Sequence, residues 1–122
     1  MRFRLVFYKE ETGFVPVFEW MQTLPDDALD KITGRLKLLA SEGNRLRRPY
    51  ADYIGNGIYE LRARTGNVQY RILYFFHGTE VIVLSSGFTK ERRIPKTELN
   101  RAKTRKDNFE LNPQKHIAGE TI

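Results

Sequence analysis

Glu60, Arg62, Arg64 and Arg71 are the residues of this chain whose types and spacing could do chemistry. The first three stand at every second position of Gly57-Ile58-Tyr59-Glu60-Leu61-Arg62-Ala63-Arg64. Strand side chains alternate faces, so these three share one face while Tyr59, Leu61 and Ala63 take the other. Arg71 lies inside Tyr70-Arg71-Ile72-Leu73-Tyr74, a second strand-like run. An arginine in the middle of an apolar strand is costly unless it meets an anion or a carboxylate. Glu60 on the neighbouring strand is one partner of that kind, and a bound phosphate is another. Guanidinium groups grip phosphate oxygens in forked pairs, so several arginines on one face suit a polyanionic partner.

One reaction needs little more than such a face. RNA carries its own nucleophile, the 2′-hydroxyl. Cleavage requires that oxygen to be aligned with phosphorus, the added negative charge to be stabilised, and a proton to be delivered to the leaving 5′-oxygen. Fixed arginines supply alignment and charge stabilisation, often the largest single contribution to catalysis. A lysine or tyrosine can move the proton if the site shifts its pKa toward neutrality. Other familiar sites are missing: there is no phosphate-binding loop, no paired metal-ligand spacing and no glycine-bounded nucleophilic serine. The two histidines, His77 in a turn and His116 near the end, do not read as buried bases. No metal and no cofactor is expected. Tyr59, Tyr70 and Tyr74 read first as packing residues, with base stacking or proton transfer as the secondary reading.

At 122 residues, with 40% hydrophobic and 30% charged residues, the chain has the composition of one globular domain. It has no cysteine, which excludes a disulfide framework and thiolate metal sites and fits a reducing cytoplasm. No apolar run approaches the roughly 20 residues that span a bilayer, so no membrane role is expected. The net charge of +6 is unevenly spread. Residues 44–71 hold six basic and two acidic side chains, and residues 85–107 hold eight and three. These two basic segments flank a nearly neutral strand, a distribution that attracts nucleic acid. Arg47 and Arg48 in the first segment, and Lys90, Arg92 and Arg93 in the second, are candidate RNA contacts with Arg64. Lys103, Arg105 and Lys106 read as a solvated helix face or a secondary phosphate contact.

The elements that must position these residues follow from periodicity. Residues 2–8 predict a first strand. Val17, Trp20, Met21 and Leu24 fall on one helical stripe, which Pro25 interrupts. Asp26 and Asp27 then suit the start of a longer helix, along which Leu29, Ile32, Leu36 and Leu39 recur until Gly43. Strands are expected over 58–64, 69–76 and 80–88, joined by the turns Thr65-Gly66-Asn67 and His77-Gly78-Thr79 as an antiparallel meander. The apolar run Val81-Ile82-Val83-Leu84 predicts a strand covered on both faces. Pro95 opens a last helix with Leu99 and Ala102 inward. The order β-α-α-β-β-β-α predicts an α+β domain over residues 1–108. It consists of a small, mostly antiparallel sheet with helices on one face and cations on the open face. Residues 109–122 are expected to form a flexible tail.

Several segments together resemble a known family: Phe14-Val15-Pro16-Val17-Phe18-Glu19-Trp20, Gly57 to Arg62, Tyr70 to Tyr74, Gly87-Phe88-Thr89-Lys90, Pro95 and Arg101-Ala102. The set is similar to the HigB toxins of the phage Gp49-like group, within the RelE/ParE toxin superfamily, over roughly residues 3–107. The resemblance implies a RelE-like fold and the toxin of a type II toxin–antitoxin pair. It implies a metal-independent endoribonuclease that cuts mRNA in the ribosomal A site and so inhibits translation. Its implied partners are a HigA-like helix-turn-helix antitoxin and, through the complex, operator DNA. By position, Arg71 is expected at the scissile phosphate, Arg62 matches the cation of Tyr-Glu-Leu-Arg, and Lys90 follows Gly-Phe as charge stabiliser or proton donor. Glu60 is a candidate base. Many relatives carry a second lysine and a Thr-Pro where this chain has Glu91 and Ile94, and Arg92 and Arg93 restore the charge. Two other functions fit the same residues: a non-catalytic gyrase inhibitor resembling ParE, and an inactive nucleic-acid-binding module.

Overall fold

The computed structural model describes residues 2–89 and 94–120. Strand β1 (Arg4–Tyr8) leads through two helices, α1 (Pro16–Met21) and α2 (Asp26–Glu42), into strands β2 (Ala51–Gly55), β3 (Ile58–Thr65), β4 (Val68–His77) and β5 (Val81–Thr89). Helix α3 (Lys96–Leu111) and a short strand β6 (Ile117–Glu120) follow. The sheet order is β2-β3-β4-β5-β1-β6. Among the described residues only β1 and β5 pair in parallel; the other neighbours are antiparallel. The expected α+β class and the β3-β4-β5 meander are therefore both present.

The sheet buries both faces. On one, Leu61, Ala63, Tyr70, Ile72, Tyr74, Ile82 and Leu84 pack against Val17 of α1 and Ala28, Ile32, Leu36 and Leu39 of α2. On the other, Val6, Tyr8, Ile58, Leu73, Phe75 and Val83 meet Ala102 and Phe109 of α3. This corrects the expectation that all helices share one face. The reason lies in β4, whose run Ile72-Leu73-Tyr74-Phe75 is buried throughout and needs an apolar cover on each side. The cations occupy the part of the second face that α3 leaves open. The three tyrosines follow their packing reading: Tyr70 and Tyr74 are core, and half-buried Tyr59 stacks on Tyr74 with ring centroids 5.5 Å apart. Burial, and then the neighbouring Tyr59, pushes the Tyr74 phenol up and away from any proton-transfer task near neutrality.

The tail also departs from expectation. Phe109 is fully buried, and α3 runs on to Leu111. Strand β6 then pairs with β1. His116 secures this return: it is buried, stacks on Tyr8 with centroids 5.0 Å apart, and places its Nδ1 2.7 Å from the Lys9 carbonyl oxygen. The Arg105 expectation changes as well. Its guanidinium is buried and donates to the Ser85 carbonyl, the Ser86 hydroxyl and Glu10. It thereby ties α3 to β5 where the register skips Ser85. Lys103 stays on the exposed face, 3.5 Å from Asp107.

Gly87 shows why Gly-Phe opens the end of β5. A Cβ there would overlap the Trp20 indole, so α1 can seat on the sheet only where a side chain is missing. Gly87→Ala is expected to destabilise the fold by about 1–3 kcal/mol through overpacking. Urea denaturation measures it, and an unchanged midpoint would mean that Trp20 swings aside without cost.

Candidate functional site

The site grows from the pairing of three strands. Arg62 stands directly opposite Arg71, and Glu60 lies opposite both Leu73 on β4 and Asp52 on β2. Side chains directly opposite one another share a face, so Asp52, Glu60, Arg62 and Arg71 converge. Glu60 is fully buried. Its Oε1 accepts from Arg62 Nε, and its Oε2 accepts from Arg71 Nη1 at 2.8 Å. Arg71 is 8% exposed and donates a second bond, from Nη2, to Gln69 Oε1 at 3.1 Å.

The chain of charges continues outward. Arg62 Nη2 lies 3.4 Å from Asp52 Oδ2, which also accepts from Arg48 Nε at 3.0 Å and Nη2 at 2.8 Å. The Arg48 hydrogen bonds hold the Asp52 carboxyl below the usual carboxylate range and raise Arg48 in turn. Asp52 thus remains an anion at neutral pH and anchors the exposed end of the network.

The arginines border a cleft of about 440 Å³ at the edge of the sheet. Pairing of β2 with β3 ends near Tyr50, whose carbonyl accepts from the Arg62 amide at 2.8 Å. Beyond it, no strand covers residues 63–65 of β3 on that side among the described residues. Arg62, Arg64, Gln69 and Arg71 line the cleft from the sheet, Tyr50 lines it from the approach to β2, and Arg35 reaches it from α2. No carboxylate lines it among the described residues. The Nε atoms of both Arg35 and Arg71 are buried without a hydrogen-bond partner. Charge and donors are in surplus, the condition under which an anionic ligand is favoured.

The structure therefore brings together Glu60, Arg62, Arg64 and Arg71, four of the residues singled out by sequence. Glu60 does not fit the role of base: it is sealed from solvent, and each oxygen already accepts from an arginine. It holds the Arg62 and Arg71 guanidinium groups from behind. Arg64 is exposed and donates from Nε to the Gly66 carbonyl at 2.9 Å. Arg47 and Arg48 border a separate depression of about 640 Å³ beside Asp52 and Tyr53; Arg48 joins the site through Asp52, whereas Arg47 donates to the Asn44 carbonyl at 2.7 Å. Lys90, Arg92 and Arg93 lie outside the described residues. Sequence reasoning missed Arg35, Tyr50, Asp52 and Gln69. Of these, Asp52 had a readable signal, because it is an acidic residue just before the Asn56-Gly57 turn that folds β2 onto β3.

Residues 19–107 match the family model described as Phage derived protein Gp49-like (DUF891). That span covers well over half of the chain and includes α2, β2 to β5 and the cleft, so the chain belongs to this phage-derived Gp49-like family. The family is associated with toxin–antitoxin systems, which makes this chain a toxin in that general sense and an antitoxin its implied partner. No curated protein matches the chain. Among the described residues, no helix is long and apolar enough to cross a membrane.

Proposed function

We propose that this chain is a HigB-like, RelE/ParE-superfamily toxin that cleaves mRNA on the ribosome, using the RNA 2′-hydroxyl as nucleophile and no metal. The observation that carries the reading is the buried Glu60 carboxylate gripping Arg62 and Arg71 at the floor of a cationic cleft. A carboxylate at that depth fixes two guanidinium groups before substrate arrives, so no reorganisation is needed when charge develops on phosphorus. Arg62, with its side chain 35% exposed, touches the phosphate. Arg71, held from behind by Glu60 and Gln69, adds charge beneath it. Arg64, Arg47 and Arg48 hold the flanking RNA, joined by Arg92 and Arg93. Lys90 delivers the proton to the leaving 5′-oxygen, and the proton of the attacking 2′-hydroxyl passes to water. Codon-phased cutting requires the ribosomal A site as the place where mRNA is presented. A HigA-like helix-turn-helix antitoxin restrains the chain, and the pair binds its operator DNA in the cytoplasm.

The test is primer extension on a translated reporter after inducing this chain alone, with Arg71→Ala alongside. Codon-phased cuts are expected from the wild type. The folded variant should lose them by at least about 100-fold. Full cutting by folded Arg71→Ala would remove Arg71 from the site. Intact mRNA with arrested DNA synthesis would replace the nuclease by a gyrase inhibitor, and intact mRNA with normal growth would leave an inert binding module.

A further inference from the structure

The arginine pair accounts for a phosphate, yet the cleft contains a second feature that a phosphate does not use. Tyr50 is 38% exposed and lines the cleft among Arg35, Arg62, Arg64 and Arg71. The Arg35 guanidinium carbon sits 4.7 Å from the centroid of the Tyr50 ring, close enough for a cation–π contact. The ring is thus held in place by a charge from α2, on the opposite side of the sheet from α3. Tyr50 is also tied by its carbonyl to the amide of Arg62, the most accessible of the clamp arginines. A fixed aromatic plane next to a cationic phosphate site has the chemistry of a nucleotide subsite. Charge neutralises the backbone, and the flat ring accepts a base.

We propose that Tyr50, braced by Arg35, is a stacking platform for one nucleobase of the RNA whose phosphate sits at Arg62. This deepens the nuclease reading and rests on it for the identity of the ligand. Base–aromatic stacking tolerates every base, because each presents a π-face. The subsite therefore orients the nucleotide next to the clamp rather than choosing its sequence. Arg35 has two tasks here: it braces the ring, and it adds a positive charge to a cleft that has no carboxylate in its lining among the described residues.

The experiment titrates the purified full chain, followed by NMR, with each nucleoside 5′-monophosphate and with ribose 5-phosphate, which lacks the base. Nucleotides are expected to bind about 5- to 100-fold more tightly than ribose 5-phosphate, the range that one stacked base supplies. Tyr50→Ala should bring the two probes to equal affinity without weakening ribose 5-phosphate. Tyr50→Phe, which keeps the ring, should preserve the difference. The proposal is overturned if the base adds no affinity, if neither probe binds, or if Tyr50→Ala leaves the nucleotide advantage intact. The ribosomal cleavage assay reads the nuclease separately. Cut mRNA with no base advantage removes the subsite and keeps the nuclease, whereas a base advantage without cutting keeps the subsite and removes the nuclease.

Discussion

Glu60→Ala is expected to destabilise the protein by about 3–5 kcal/mol, the cost of leaving a buried charge without its partner. Glu60 has no exposed surface, and Arg71 retains only 8% of its own. Without the carboxylate, Arg71 would face Arg62 directly opposite on the next strand, with Gln69 as its remaining acceptor among the described residues. Two like charges opposite each other across a strand pair are unfavourable in themselves. For a domain of this size the loss corresponds to a fall of roughly 10–20 °C in Tm. Thermal and urea unfolding measure it. The double variant Glu60→Leu with Arg71→Leu should recover most of the stability, since replacing a buried ion pair by apolar groups is often neutral. It should recover no cleavage. That contrast separates what the pair does for folding from what it does for the site. A single-variant loss below about 1 kcal/mol would mean that water reaches Arg71 and the floor of the cleft is not sealed.

The strand arginines and their relation to Glu60 were legible because a strand has period two, and alternation alone places Glu60, Arg62 and Arg64 on one face. Register was not legible, and register decides that Arg62 rather than Glu60 stands opposite Arg71. Strand β2 leaves a local trace in the sequence. Asn56 and Gly57 both have positive φ, 55° and 79°, as a two-residue hairpin turn requires, and Asn-Gly is its most typical sequence. Such a turn calls for a strand before it, and that strand, β2, carries Asp52 and forms the edge at which the cleft opens. The placement of α3 had a trace as well. The unbroken apolar run in β4 demanded cover on both faces, as did the run in β5 from which that inference was drawn. Arg105 left none: a guanidinium on the inner side of a helix reads as surface until its acceptors on β5 and Glu10 are known. Tyr50 and Arg35 were equally hidden, because their meeting depends on how α2 lies across the sheet edge rather than on any local pattern.

The geometry also ranks the two clamp arginines, and the ranking has a large kinetic consequence. Arg71 commits both terminal nitrogens to Glu60 and Gln69. Arg62 uses Nε and Nη2 on Glu60 and Asp52, but its Nη1 has no acceptor among the described residues. Its side chain is also 35% exposed against 10% for Arg71. Both guanidinium groups keep unused N–H donors, but the free Nε of Arg71 is buried, so Arg62 is the residue able to offer a donor to a phosphate arriving from solvent. Arg62→Ala is expected to slow single-turnover cleavage on programmed ribosomes by about 100- to 1,000-fold, the loss typical of one donor aimed at developing charge. Glu60 would still hold Arg71, so the stability cost should stay near 1–3 kcal/mol. Arg62→Lys keeps the charge but not the planar fork that reaches Glu60, Asp52 and substrate at once. It should recover only part of the rate. A loss under 10-fold for Arg62→Ala, beside a loss above 100-fold for a folded Arg71→Ala, would reverse the order. Arg71 would then have to release Gln69 and turn to the phosphate itself, and Gln69→Ala should in that case speed cleavage rather than slow it.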